Sequence, residues 1–136
     1  MLEGLRSIGE DMGQPYVRRA VATLKGHQNE DGGWGECCET YENPQLRLEG
    51  TSTPSQTAWV IMALLAAGEE GCDEVTRGIG FLLDKQRPDG TWDEREFTAT
   101  GFPTYFMINY HNYRNCFPLM ALGKFISKVK GTGIGK

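Results

Sequence analysis

Phe102, Phe106, Tyr110 and Tyr113 recur at helical spacing in the C-terminal part of the chain. On one helix face such residues would build a continuous aromatic surface. Rings at this spacing usually serve as ordinary hydrophobic core. The chemical alternative is sharper. An aromatic face attracts a cation through its ring quadrupole and offers no nucleophile to quench it. Other candidates for chemistry are weaker. Cys37, Cys38, Cys72 and Cys116 form no Cys-x-x-Cys spacing and lie far in sequence from His27 and His111, so no zinc set emerges. Cys37 and Cys38 are badly placed to bridge each other, and reduced thiols are the default. His111, Asn112, Arg114 and Asn115 read as groups that bond helix ends or loops.

The element that must carry the rings is predicted as an inner helix over about 103–129, with a kink at Pro118. A second inner helix is predicted over about 54–67. Thr53 can cap it, Pro54 fits its first position, and Gln56 completes a capping box. Its body is apolar all round, which predicts burial on every side, and Gly68 stops it. Two amphipathic outer helices precede these. One opens at Pro15, carries Val17, Ala20, Val21 and Leu24, and runs to about Gln28; the other is capped by Asp73, carries Val75, Ile79, Leu82 and Leu83, and stops at Gln86. Leu2, Leu5, Ile8 and Met12 give the tail of an earlier helix, closed by Gly13. Residues 35–52 have no period and are long for a connection, so they are functional or packed against something. No sustained period of two predicts a strand.

One turn is written twice. Gln28-Asn29-Glu30-Asp31-Gly32-Gly33-Trp34 and Gln86-Arg87-Pro88-Asp89-Gly90-Thr91-Trp92 align at a fixed offset, which also matches Arg19 with Arg77, Leu24 with Leu82 and Glu36 with Glu94. Identity at a fixed offset marks a repeated helical hairpin, around 17–34 and 76–92. The motif reads as scaffold. The Gln amide bonds helix-end groups, the Gly takes a positive φ, and the Trp covers the turn. Outer and inner helices in alternation predict an all-α fold, a segment of an α/α barrel. Fewer than about three repeats rarely stand alone, so residues 1–136 read as part of a larger barrel domain.

The balance of 14 basic and 18 acidic residues, a net charge of −4, excludes a nucleic-acid partner. Lys124, Lys128, Lys130 and Lys136 read as a solvated helix end and tail, with contact to anionic lipid headgroups as the alternative. The longest apolar run, Ala58 to Ala67, is well short of the roughly twenty residues a spanning helix needs. No signal peptide follows Met1, and attachment to a membrane by one face stays open.

The second copy, Arg77-Gly78-x-x-Phe81-Leu82-x-x-x-Gln86-x-x-x-Gly90-x-Trp92, resembles the full QW repeat of triterpene cyclases. The first keeps Gln28, Gly32 and Trp34 but has Ala20 for the Gly and Thr23 for the aromatic. Ser52 to Trp59, Thr100 to Pro103, Tyr113 to Asn115 and Phe117 to Leu119 resemble squalene–hopene cyclases in particular. The resemblance implies the C-terminal part of an α/α toroid whose full-length enzyme converts squalene, or a related polyprenoid, to hopene or hopanol through a proton-initiated carbocation cascade. It implies that Phe102 and Phe106 stabilise late cations, that Tyr110 and Tyr113 shape the pocket, and that Gly101 and Ile108 line it. The catalytic acid it implies, in an Asp-x-Asp-Asp motif, has no match in this sequence. No metal or organic cofactor is implied. The implied partners are the remainder of the cyclase chain, the cytoplasmic side of the cell membrane as a monotopic surface, and a second copy in a homodimer. The rival readings are another class II terpene cyclase, or a non-catalytic α/α repeat module that binds a partner through 35–52.

Overall fold

A computed structural model describes residues 1–102 and 106–131, and the backbone alone for Ala99–Phe102. The elements are α1 (Leu2–Ser7), α2 (Pro15–Gly26), α3 (Pro54–Ala66), α4 (Asp73–Lys85), a hairpin of β1 (Ala99–Phe102) and β2 (Phe106–Ile108), and α5 (Tyr113–Gly131). Inner helix α3 packs on α5, α4 and α1. Its buried side, with Ala58, Ile61, Met62, Leu64 and Leu65, meets Val17 and Val21 of α2 and Val75, Ile79, Phe81 and Leu82 of α4 in one core. Its opposite side, with Trp59, Val60 and Ala63, is only half-buried. On α5 only Pro118 and Ala121 are buried, while Leu119, Met120 and Ile126 are exposed. The apolar pattern of both inner helices therefore exceeds what these residues cover.

Helix ends follow local chemistry. Thr53 Oγ1 accepts from the Gln56 amide, and Pro54 takes the first turn. The capping box is only half made, because Gln56 turns its side chain to the backbone of Glu36. Gly68, at φ +82°, closes α3. Its amide donates to Leu65, and the Glu69 amide donates to Leu64, a Schellman ending. Glu69 then takes Arg18 at 2.5 Å and Lys25 at 2.5 Å, and their positive charges hold its carboxyl below the usual range. That pair of contacts fastens α2 to the α3–α4 corner. The stop after α1 is Gly9, at φ +82°, rather than Gly13. Cys72, not Asp73, is the N-cap of α4, and Asp73 enters the first turn, where its charge suits the helix dipole. α2 ends at Gly26, two residues before Gln28.

The expected inner helix over 103–129 is corrected at its start. Ala99–Phe102 and Phe106–Ile108 pair as antiparallel strands, and the helix begins at Tyr113. Residues 103–105, including Pro103, and the tail with Lys136 lie outside the described residues. Two residues four apart lie on one face of a helix, but they can also be backbone partners across a pair of antiparallel strands. Phe102 and Phe106 are paired in that second way. Thr100, Phe102, Phe106 and Ile108 favour a pleated strand, and Gly101 disfavours a helix. The expectation of no strand fails for the same reason: the strands are too short to show a period. Helices otherwise carry the fold, in keeping with an all-α barrel segment.

The repeated turn is an interlock. Gly32 and Gly90 sit at φ +86° and +83°, where a side chain would strain the backbone. The Trp34 indole donates to Leu24 O at 2.7 Å, and the Trp92 indole to Leu82 O at 2.8 Å. Each ring thus satisfies a carbonyl in the last turn of its own outer helix. Gln28 Nε2 donates to Gly32 O and to Glu74 O on the next outer helix, α4. That helix receives the turn in three further ways. Arg77 donates to Asn29 O, the Phe81 ring lies under Gly33, and a Cβ on Gly78 would stand 2.8 Å from the Trp34 ring. The Arg77-Gly78-x-x-Phe81 half of one copy is therefore the seat for the Gln28-x-x-x-Gly32-x-Trp34 half of the copy before it.

Trp92 is 1% exposed. Its replacement in Trp92→Ala removes a buried ring and leaves Leu82 O without its donor, at a cost of about 3–5 kcal/mol. Differential scanning calorimetry should record a clear fall in Tm, and an unchanged Tm would mean that the ring clamps nothing.

Candidate active site

The site grows from the two strips that follow each Trp. The Trp34 amide donates to Thr57 Oγ1 in the first turns of α3, and the Trp92 amide donates to Asn115 Oδ1 in the first turn of α5. Each acceptor stands 23 residues after its Trp. The repeat thus extends into the inner helices, and each turn delivers its chain to the next inner helix N-terminus. The residues two further on complete the grip. Glu36 exchanges backbone bonds with the Gln56 side chain, while Glu94 presents its carboxylate to Ser55, accepting from the amide at 2.8 Å and from Oγ at 2.8 Å. Ser55 is fully buried and Glu94 nearly so. A buried carboxylate at a helix N-terminus is stabilised by the helix dipole and the free amides there. Burial nevertheless dominates and pushes the Glu94 carboxyl up, against the pull of the two Ser55 bonds.

These grips bring aromatic rings together at one end of the inner helices. Trp59, on α3, meets Tyr113 edge-on at 5.9 Å and Phe117 edge-on at 5.2 Å. Tyr113 meets Phe117 edge-on at 5.0 Å, and Tyr110 stacks on Tyr113 at 4.7 Å. Edge-to-face packing leaves ring faces turned outward, and a ring face is what a cation needs. Tyr110 is 45% exposed, and Phe106, on β2, is 49% exposed. Ile108 is half-buried on β2, its backbone paired with Ala99. Gly101 and Phe102 belong to β1, and their side-chain surroundings lie outside the described residues. Of the residues singled out in the sequence, the structure thus joins Tyr110 and Tyr113 to one ring cluster and moves Phe102 and Phe106 from a helix to a hairpin. Gln28, Gly32, Trp34, Gln86, Gly90 and Trp92 are scaffold.

Sequence reasoning missed Trp59 and Phe117. Both sit in apolar stretches that read as plain core, and only their distance from Tyr113 sets them apart. It also missed Glu94 as a buried group, although its match with Glu36 across the repeat was a signal. Residues 35–52, expected as a functional or packed loop, fold into two short 3-10 turns. They wall a cleft lined by Cys38, Tyr41, Arg47, Trp59 and Phe97. Cys38 Sγ donates to Phe97 O, across to the strip that leads into the hairpin. The polar groups near the rings are structural, as expected. Arg114 lies against the His111 ring and 4.0 Å from Asp93, and Asn112 O accepts from the Cys116 amide.

Comparison with known proteins supplies a family. The family model described as the squalene–hopene cyclase C-terminal domain matches residues 1–127. The squalene–hopene cyclase of Alicyclobacillus acidocaldarius is 46% identical over 96% of this chain, which corresponds to 28% of that protein. The squalene–hopene cyclase of Bradyrhizobium diazoefficiens is 41% identical over 98% of the chain and 21% of that protein. Human lanosterol synthase is 36% identical over 84% of the chain and 16% of that protein. The chain thus spans between a fifth and a third of the length of the two squalene–hopene cyclases.

Glu94 gives the site a pH signature. A carboxyl with a raised folded-state pKa holds its proton more tightly folded than unfolded. It therefore supports the fold below the unfolded value of about 4.3, and that support is lost as pH rises through the folded value. Glu94→Gln keeps an acceptor for the Ser55 amide and removes the titration. Its Tm should fall less than wild type between about pH 4 and neutrality; parallel Tm–pH curves would contradict the assignment.

Proposed function

The chain belongs to the squalene–hopene cyclase C-terminal domain family, and from that premise we propose that it is the aromatic-bearing part of an enzyme that cyclises squalene to hopene or hopanol. The ring cluster of Trp59, Tyr110, Tyr113 and Phe117 beside a hairpin bearing Phe106 carries the proposal. Polyene cyclisation moves a positive charge along a hydrocarbon that water or a carboxylate would quench. Rings stabilise that charge and form no bond to it, each contributing about 2 kcal/mol when desolvated. A transition state favoured by that much reacts roughly thirtyfold faster.

In this reading Phe102 and Phe106, facing each other across the hairpin backbone, stabilise the cations formed as the last rings close. Tyr110 and Tyr113 shape the pocket, with Gly101 and Ile108 along its wall. The proton that starts the cascade comes from a carboxylic acid elsewhere in the longer protein, since no Asp-x-Asp-Asp occurs here. The apolar substrate and the exposed Leu119, Met120 and Ile126 on α5, close to Lys124, support a one-faced attachment to the cytoplasmic side of the cell membrane. No helix among the described residues is long and apolar enough to cross a membrane. A homodimer completes the assembly that the resemblance implies. The similarity to lanosterol synthase favours, as a second reading, a class II cyclase that builds another skeleton.

The test is incubation of the full-length protein with squalene, with products identified by gas chromatography and mass spectrometry. Pentacyclic product supports the proposal, and a different cyclised skeleton supports the second reading. Phe106→Ala in the full-length protein should release incompletely cyclised products, at a rate of late ring closure lowered about thirtyfold; a product profile equal to wild type would exclude Phe106 from cation stabilisation. The isolated 136 residues should form no hopene, because the acid is missing.

A further inference from the structure

Asn109 is an exposed side chain at the joint between β2, which bears Phe106, and the turn that bears Tyr110. Its Nδ2 donates to two backbone carbonyls on one strip, Glu96 O at 3.1 Å and Glu94 O at 3.3 Å. That strip is itself fixed at three points. The Glu94 carboxylate holds Ser55 on α3, the Trp92 amide holds Asn115 on α5, and Phe97 O accepts from Cys38 on the 35–52 segment. Ser55 lies one turn before Trp59 on the same helix. A continuous path of bonded groups therefore runs from Asn109 through Glu94 and Ser55 to Trp59.

We propose that Asn109 is a positioning residue of the cyclisation, fixing the Phe106 strand and Tyr110 at a set distance from Trp59 by bridging the carbonyls of Glu94 and Glu96. This rests on the cyclase reading of the site. A cation migrating along a folded hydrocarbon is partitioned at each centre between further ring closure and loss of a proton. That partition depends on ring placement to within a fraction of an ångström. Asn109 touches neither substrate nor reacting atoms; it acts through the rings. A merely structural side chain would change how much folded enzyme is present, which leaves a product ratio untouched. A positioning side chain changes the ratio itself.

The experiment compares wild type, Asn109→Ala and Asn109→Asp in the full-length protein with squalene, well below the Tm of each. Aspartate keeps the size of the side chain and removes the donor, so it separates the bond from the bulk. Both variants should raise the ratio of incompletely to fully cyclised product roughly tenfold, the effect of a sub-ångström misplacement. A wild-type ratio in Asn109→Asp would overturn the proposal. A second readout needs no substrate. With 5-fluorotryptophan incorporated, the Trp59 fluorine resonance is assigned from its disappearance in Trp59→Phe. It should move in both Asn109 variants, and an unmoved resonance would overturn the link to Trp59. If wild type leaves squalene unreacted, the cyclase reading falls on that result alone, and the fluorine shift still decides whether Asn109 positions the rings.

Discussion

The N-terminal turns of the two inner helices are the points on which this structure hangs. A helix start leaves its first amides without partners inside the helix, and buried amides must find them elsewhere. At α3 the bonds run both ways: Thr53 Oγ1 accepts from the Gln56 amide and the Glu94 carboxylate from the Ser55 amide, while the Gln56 and Thr57 side chains accept from the amides of Glu36 and Trp34 on the strip. Because both repeats send a strip to the same turn, the position of each strip is dictated by unpaired groups rather than by its own sequence. The hairpin, the 35–52 segment and the start of α5 are all continuations of those strips. At α5 the first-turn amides of Asn115 and Cys116 are met locally by Asn112 O, and Asn115 Oδ1 receives the Trp92 amide.

That dependence links scaffold to chemistry. The QW turn touches no aromatic of the ring cluster through its Gln or Gly, yet its Trp backbone fixes where Asn115, and so Tyr113 and Phe117, begin. Edge-to-face packing of Trp59 against two rings of α5 then sets the approach of the two inner helices at that end. Rigid rings held by buried bonds suit a reaction whose intermediates are stabilised by position and harmed by any wandering nucleophile.

The legible part of the sequence was the part governed by local rules. Pro54 after Thr53, Gly68 after an apolar run and the alternation of amphipathic and apolar segments each have one physical meaning, and each appears where expected. The repeat revealed the hairpin unit because identity at a fixed offset does not depend on context. The failures share a different cause. Phe102 and Phe106 have a spacing that fits two backbone forms, one face of a helix or a pair across two strands. Glu94 entered only as the match of Glu36, because nothing in its immediate neighbours announces that a helix 39 residues earlier will bury its carboxylate. Trp59 and Phe117 were hidden among other apolar residues. Long-range satisfaction of polar groups decided all of these, and no window along the chain contains it.

The interlock of the two copies runs one way. α4 seats the first turn through Arg77, Gly78 and Phe81, and Gln28 reaches across to Glu74, whereas among the described residues Gln86 bonds within its own turn, to Gly90 O. The first copy is thus sheltered by its successor. Thermal opening of such an array is polar, like the fraying of a rope with one whipped end. Loosening α4 strips protection from the turn behind it, while loosening α2 leaves the second turn's own bonds intact. Amides in the first turn should therefore exchange with solvent at the pace of α4, so the first turn and the second outer helix open as one unit that spans the two copies.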